Sequence, residues 1–172
     1  FGLQKVGHAG TLDPLASGVV LCLVNQGTKL SDYLLNDDKQ YQVTMTLFQA
    51  TTTYDAEGEV VESQTPFHLN QETINEVFTK YNGLTYQQTP PLYSAIKLRG
   101  KKLYEYARQN QPVTITPRPV TIKKLTLLGF TDQTITFEVC CSKGTYIRSL
   151  VVDLARELNT IAYVSTLRRT SS

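Results

Sequence analysis

Asp13 is the one carboxylate in the glycine-framed stretch GHAGTLDPLASG, residues 7–18, and His8 is its one imidazole. Pro14 biases the Asp13 backbone towards an extended conformation, which places the side chain on a loop rather than inside a helix. The small residues Gly7, Ala9, Gly10, Ala16, Ser17 and Gly18 let a second backbone or a flat ligand approach closely. An Asp–Pro pair also starts turns and caps nearby amides, so the stretch alone leaves two readings open. Tyr41 stands at the mouth of an alternating segment, and Asp55 lies in the polar turn that follows. Tyr41 shares a face with core-type residues and Asp55 precedes Ala-Glu-Gly, so packing and turn-forming roles stand beside ligand-facing ones. In SKGTYIRS, Tyr146 and Arg148 fall where a strand gives way to a helix. A cation in a first helical turn opposes the helix dipole, so Arg148 calls for a carboxylate or phosphate beside it.

These residues narrow the chemistry. Asp13 has no second acid near it in sequence, as a glycosidase would need, and neither glycine stretch has phosphate-loop spacing. His8 and His68 belong to no CxxC or HxxxH pattern, so a zinc site is not expected. A single carboxylate can act as a covalent nucleophile, and an arginine partner would hold it paired and aimed. From Pro90 to Arg108, Lys97, Arg99, Lys101, Lys102 and Arg108 face one acid, Glu105. That segment is either a solvated face or a grip for a polyanion. Its double proline, tyrosines and surplus cations supply little independent core.

A chain of 172 residues suits one domain and buries roughly 70% of its unfolded surface. Its net charge of +2 is too small to announce a nucleic-acid partner. The longest apolar run, Gly18–Val24, is too short to span a membrane. Cys22, Cys140 and Cys141 read as reduced core residues of a cytoplasmic protein. The chain starts at Phe1 with no methionine or signal-peptide pattern and stops on Thr170-Ser171-Ser172, so it reads as a fragment at both ends.

Periodicity supplies the elements. Val19–Val24 reads as a central strand, and Thr28–Leu35 has helical spacing through Leu30, Tyr33 and Leu34. Gln40–Phe48 alternates, with Tyr41, Val43, Met45 and Leu47 on the inner face. A short strand follows at Glu59–Val61. Asn70 caps a helix to Tyr81 whose stripe is Ile74, Val77, Phe78 and Tyr81. Lys101–Gln109 reads as a short helix, Val120–Phe130 and Thr134–Cys141 as strands, Thr145–Leu158 as an amphipathic helix and Thr160–Leu167 as a last strand. The class is α+β, with a mostly antiparallel central sheet flanked by helices.

Four blocks carry a family resemblance: GHAGTLDPLASGVVLCLVNQGTKL, KQYQVTMTLFQATTTYDAEGEVV, TPPLYSAIKLRGKKLYEYAR and CSKGTYIRSLVVDLARELN. Their order and spacing resemble the bacterial tRNA pseudouridine-55 synthases of the TruB family over essentially the whole chain. The resemblance implies the pseudouridine synthase fold, a catalytic domain over residues 1–172 and an RNA-binding insertion at about residues 84–112. The family's N-terminal strand region, with its Lys-Pro motif, and its C-terminal RNA-binding domain fall outside the chain. The implied reaction converts uridine to pseudouridine at position 55 in the T-arm loop of tRNA. It needs no cofactor or metal and takes place in a cytoplasmic monomer with no membrane partner.

The same resemblance assigns roles. Asp13 is the catalytic aspartate, acting as nucleophile or stabilising the cleaved glycosyl centre, with attack on base or sugar left open. Tyr41 stacks on the target uracil, Arg148 pairs with Asp13, and Tyr146 and Leu167 line the base pocket. His8 helps fill the RNA loop after the base leaves, Asp55 joins the polar network of the pocket, and Lys97 supports from the basic segment. Extruding the base costs a few kcal/mol, and stacking on an aromatic returns roughly 1–3 kcal/mol. The alternatives are a non-catalytic tRNA-folding or binding module and a related synthase with another RNA target. Binding alone does not require a nucleophile, so Asp13, Tyr41 and Arg148 together favour the enzyme. The compact TPPLYSAIK segment and the lack of basic tails favour a stand-alone form over a guide-RNA-dependent one.

Overall fold

The computed structural model describes residues 2–172, and the chain start at Phe1 lies outside them. In chain order the elements are β1 (Val6–Ala9), β2 (Ser17–Gly18), β3 (Leu21–Val24), a 3₁₀ turn (Asn25–Leu30) and α1 (Ser31–Leu34). Then come β4 (Lys39–Leu47), β5 (Gln49–Thr51), β6 (Val60–Ser63), α2 (Gln71–Tyr81) and β7 (Thr85–Gln88). β8 (Lys97–Leu98), β9 (Lys101–Lys102) and α3 (Leu103–Arg108) precede β10 (Arg118–Phe130), β11 (Thr134–Cys141), α4 (Ile147–Glu157) and β12 (Ala162–Ser171).

A six-stranded sheet in the order β2-β12-β4-β11-β10-β7 forms the centre of the molecule. Its neighbours pair antiparallel except for β12 and β2, which run parallel. The expected mostly antiparallel α+β sheet is therefore the architecture found. Alternation along β4 turns Val43, Met45 and Leu47 inward, where they meet Ile135, Phe137 and Val139 of β11. α2 packs against β10 and α4 against β12. The α2 stripe of Ile74, Val77, Phe78 and Tyr81 is buried as its spacing requires, and Asn70 caps the helix by accepting from Thr73 N at 2.8 Å. Phe78 meets Phe137 edge to face at 5.5 Å. Each such large apolar side chain adds about 1.5–3 kcal/mol through burial, so the sheet–helix layer is the rigid base on which the loops are mounted.

Three expectations need correction. Val19–Val24 is not a central strand. Gly18 adopts a φ of +110°, and the chain turns off the sheet after its brief pairing with β12. Val19 and Val20 are exposed, and β3 pairs with β1 in a separate two-stranded ribbon. Cys22 in that ribbon is exposed rather than a core residue, whereas Cys141 is buried. The helical spacing of Thr28–Leu35 marks real turns but no buried face, since Leu30 and Tyr33 both point to solvent.

The basic segment is more ordered by its own contacts than its composition suggests. Within the expected 84–112 stretch, β7 is the edge strand of the central sheet, and the chain leaves the sheet only after Gln88. Lys101 and Lys102 form a small hairpin with β8, so α3 begins at Leu103. Leu103 and Ala107 are buried, and Tyr93, Tyr104 and Tyr106 are half-buried. The Tyr106 hydroxyl donates to Leu98 O at 2.9 Å. β12 also runs four residues past the expected end at Leu167, to Ser171.

Candidate active site

The Asp–Pro pair does start a turn, without its carboxylate capping an amide. Ala16 N donates to Asp13 O at 2.9 Å, closing a tight turn with Pro14 at its second position, the place where a fixed φ suits a turn. The turn leaves the Asp13 side chain free, and Arg148 takes it. Arg148 Nε donates to Asp13 Oδ2 at 2.7 Å and Nη2 donates to Oδ1 at 3.0 Å, a forked pairing across 135 positions of sequence. The planar guanidinium matches a carboxylate in this way, where an ammonium would not.

Arg148 is only 5% exposed and sits in the first turn of α4 behind Tyr146, the helix N-cap residue. Its Nη1 donates to Thr53 O at 3.1 Å and to Tyr93 O at 3.0 Å. Asp55 is a second carboxylate near the same guanidinium, with Oδ2 3.9 Å from the Nε that donates to Asp13. Asp55 also shapes its own turn: Oδ1 accepts from Thr53 Oγ1 at 2.6 Å and from Glu57 N at 3.0 Å. The cation that looked misplaced against the helix dipole thus has one carboxylate hydrogen-bonded to it and a second within ion-pair distance.

A cleft of about 100 Å³ opens above this pair, walled by Leu12, Asp13, Tyr41, Tyr146, Ile147 and Leu167 among others. Burial raises the Tyr41 pKa, with the Arg169 guanidinium beside its hydroxyl pulling the other way. Burial likewise raises Tyr146, with the Arg118 charge opposing it. Both phenols therefore stay protonated at neutral pH and offer O–H donors at the rim of a slot whose lining mixes Leu12, Ile147 and Leu167 with the polar groups of Thr11, Asp13 and Thr145. A larger groove, about 340 Å³, runs past Gln40, Lys124, Glu138 and Cys140, and neither Asp13 nor Arg148 lines it.

Of the residues singled out in the sequence, Asp13, Tyr41, Tyr146 and Leu167 come together in the cleft, with Arg148 and Asp55 behind it. His8, exposed on β1, and Lys97, exposed on β8, do not line it. Sequence reasoning missed Gln88 and Arg169, each 1% exposed. Gln88 Oε1 accepts from Tyr146 N at 2.8 Å, while Nε2 donates to Tyr146 O at 3.2 Å and to the Tyr86 hydroxyl at 3.0 Å. The side-chain amide thereby pairs with the main chain of a cleft residue as another strand would. The available signal was alternation: Gln88 shares the inner face of β7 with Tyr86, and Arg169 shares that of β12 with Leu167.

The whole chain superposes on solved structures of larger proteins. It aligns over 99% of its length with 41% of a chain in the crystal structure of a Cbf5–Nop10–Gar1 complex, at 29% identity and a TM-score of 0.72. It aligns over the same share with 39% of a chain in the structure of an H/ACA RNP bound to a substrate RNA containing 2′-deoxyuridine, at 25% identity and a TM-score of 0.68. The family model described as TruB family pseudouridylate synthase, N-terminal domain, matches residues 1–147.

The chain belongs to the TruB family of pseudouridylate synthases, as its four sequence blocks indicated. The tRNA pseudouridine synthase B of Mesoplasma florum is 59% identical over 99% of this chain, and that of Syntrophotalea carbinolica is 42% identical over 100% of it. The chain spans 59% and 56% of those two relatives. Among the described residues no helix is long and apolar enough to cross a membrane.

Proposed function

We propose that this chain is the catalytic domain of a cytoplasmic, monomeric tRNA pseudouridine synthase acting on uridine 55 of the T-arm loop. The observation that carries the reading is the forked Arg148–Asp13 pair at the floor of a slot walled by Tyr41 and Tyr146. The target uridine leaves its loop and stacks on Tyr41, which offsets the cost of extrusion. Asp13 acts at the glycosidic centre as nucleophile or as counter-charge. The N1–C1′ bond breaks, the uracil turns over, and a C5–C1′ bond forms in its place. C5 gives up a proton as N1 gains one, so the atoms balance without a co-substrate. Arg148 aims Asp13, and Leu167 and Tyr146 keep the detached ring in plane.

The position of His8 on the exposed β1 ribbon suits filling the loop that the base vacates. Lys97, Lys101 and Lys102, on the small hairpin of the basic segment, suit phosphate contacts that hold the T-arm.

The test is to incubate the protein with a T-arm stem-loop and map pseudouridine in the product. Asp13→Asn, nearly isosteric but uncharged, should abolish the product while leaving folding and RNA binding intact. Product from a cleanly prepared Asp13→Asn protein refutes the role given to Asp13. RNA binding with no product from the parent favours the non-catalytic tRNA-folding module instead.

A further inference from the structure

Arg169 is the largest fully buried side chain of the protein, and among the described residues no carboxylate lies within ion-pair distance of it. A buried charge without a counter-charge is expensive unless strong hydrogen bonds replace its water. Here main-chain oxygens do so. Arg169 Nε donates to Val19 O at 2.7 Å and Nη2 donates to Gly10 O at 3.0 Å. Those two carbonyls bracket the loop that carries Asp13. Val19 N in turn donates to Arg169 O at 2.9 Å, so the downstream end of the loop is tied to this residue twice.

The glycines at both ends fit the same arrangement. Gly10 has a φ of +95°, and a Cβ there would stand 3.3 Å from Arg169 Nη1. At Gly18 a Cβ would fall 2.0 Å from Arg169 O. At Gly18 the loop can lie this close to Arg169 only because the residue has no side chain, and at Gly10 a side chain would crowd the guanidinium and strain the positive φ. Across the sheet, Arg169 is the register partner of Tyr41. A second cation, Lys39, packs against the same loop, with Cε 3.4 Å from where a Gly10 Cβ would be. Burial and the nearby Arg169 charge both lower the Lys39 pKa. Two like charges packed together bring no stability that apolar side chains of equal volume would not bring. What Arg169 adds at this position is its pair of hydrogen bonds to the two ends of the loop.

We infer that Arg169 is a positioning residue, which fixes the Asp13 loop at both ends and sets it in register with Tyr41 across β12 and β4. This rests on the proposed isomerase reading for its catalytic consequence, but the fixing of the loop stands apart from it. Arg169 touches no reacting atom. It acts by holding the carboxylate and the stacking platform at one separation while RNA enters between them.

The test uses Arg169→Met and Arg169→Lys. In Arg169→Met, amide hydrogen exchange in peptides spanning residues 10–19 should quicken by about tenfold or more, the signature of local opening, with α2 and β10 unchanged. On T-arm RNA, kcat should fall by about 10²-fold, the scale of an ångström-sized misplacement, with KM and the melting temperature held. Arg169→Lys, which restores charge and one donor group but not the fork, should recover part of that loss. Combined with Tyr41→Phe, the losses should be less than additive, because the two residues act as one unit.

Unchanged exchange at residues 10–19 in Arg169→Met overturns the inference, whatever the activity. So does a loss of kcat matched by a fall in melting temperature and no rescue by lysine, which marks a structural residue only. A parent protein that makes no pseudouridine refutes the isomerase reading and leaves the exchange result to decide the positioning one.

Discussion

Replacing Arg148 by lysine keeps a positive charge behind Asp13 and removes the fork. Arg148 makes four hydrogen bonds, two to Asp13 and one each to the carbonyls of Thr53 and Tyr93. One lysine nitrogen cannot span acceptors spread around a guanidinium, so at least one bond to Asp13 is lost. A hydrogen bond to a charged group is worth about 1.5–3 kcal/mol, and a buried carbonyl left alone costs about 1 kcal/mol more. Asp13 is 30% exposed, so water recovers part of the Coulomb loss but not the aim. At 1.36 kcal/mol per tenfold, the lost bond alone gives a factor of about 10–10² in rate. Misaiming adds to it, for roughly 10²–10³ in all.

The assay is single-turnover pseudouridine formation on a T-arm stem-loop at saturating protein, beside RNA binding by filter retention. The rate should fall by that factor while affinity changes by less than about threefold, the pattern of an interaction felt in the transition state. A folded Arg148→Lys protein within a few-fold of the parent rate refutes the claim that the forked contact aims the carboxylate.

The thiols should separate cleanly. Burial pushes Cys141 up to about 12 while Cys22 is exposed, so a disulfide reagent at about pH 8 should label Cys22 first and leave Cys141 untouched until unfolding. Labelling of Cys141 in the native protein refutes this. Burial also raises the Asp153 carboxyl, against the Tyr86 hydroxyl donating to it at 2.8 Å. A carboxyl raised in the fold gives its full stabilisation below the ordinary carboxylate pKa and loses it as pH climbs through the raised value. Asp153→Asn should therefore flatten the fall in melting temperature from about pH 4 upwards, and parallel profiles for parent and variant overturn the assignment. Replacing both Lys101 and Lys102 with alanine should lower the slope of log K against log salt for RNA binding by roughly 1.5, at 0.7–0.9 per phosphate contact. An unchanged slope returns both lysines to local roles over Tyr106 and Tyr104, where their ammonium groups already lie 4.6 and 5.5 Å from the ring centres.

The long periodic elements were legible because one physical signal dominated each of them. β4, β11, α2 and α4 each present an unbroken inner face, and the structure buries those faces. That Arg148 needs an anion beside it was legible too, since a cation at a helix start opposes the dipole, but Asp13 as that anion came from the family resemblance. Val19–Val24 misled because a short apolar run has no period that tells a central strand from a surface ribbon. The Gly18 backbone decided the matter there. Arg169 was missed for a related reason: a charged side chain resembles the end of a strand, and nothing local says that its partners are carbonyls 150 and 159 positions away. Gln88 hid because a lone inward amide shows its purpose only beside the Tyr146 peptide it completes.

The Tyr93 carbonyl has a consequence for anyone who would rebuild this protein. It accepts from the same Arg148 nitrogen as the Thr53 carbonyl, although it lies within the basic segment. Three strands of chain from far apart are moored to one side chain. A graft that replaced everything from Pro90 onwards with another protein's RNA-gripping module would cut one of those moorings and slacken the carboxylate, however well the new module bound RNA. The usable splice point falls after Tyr93.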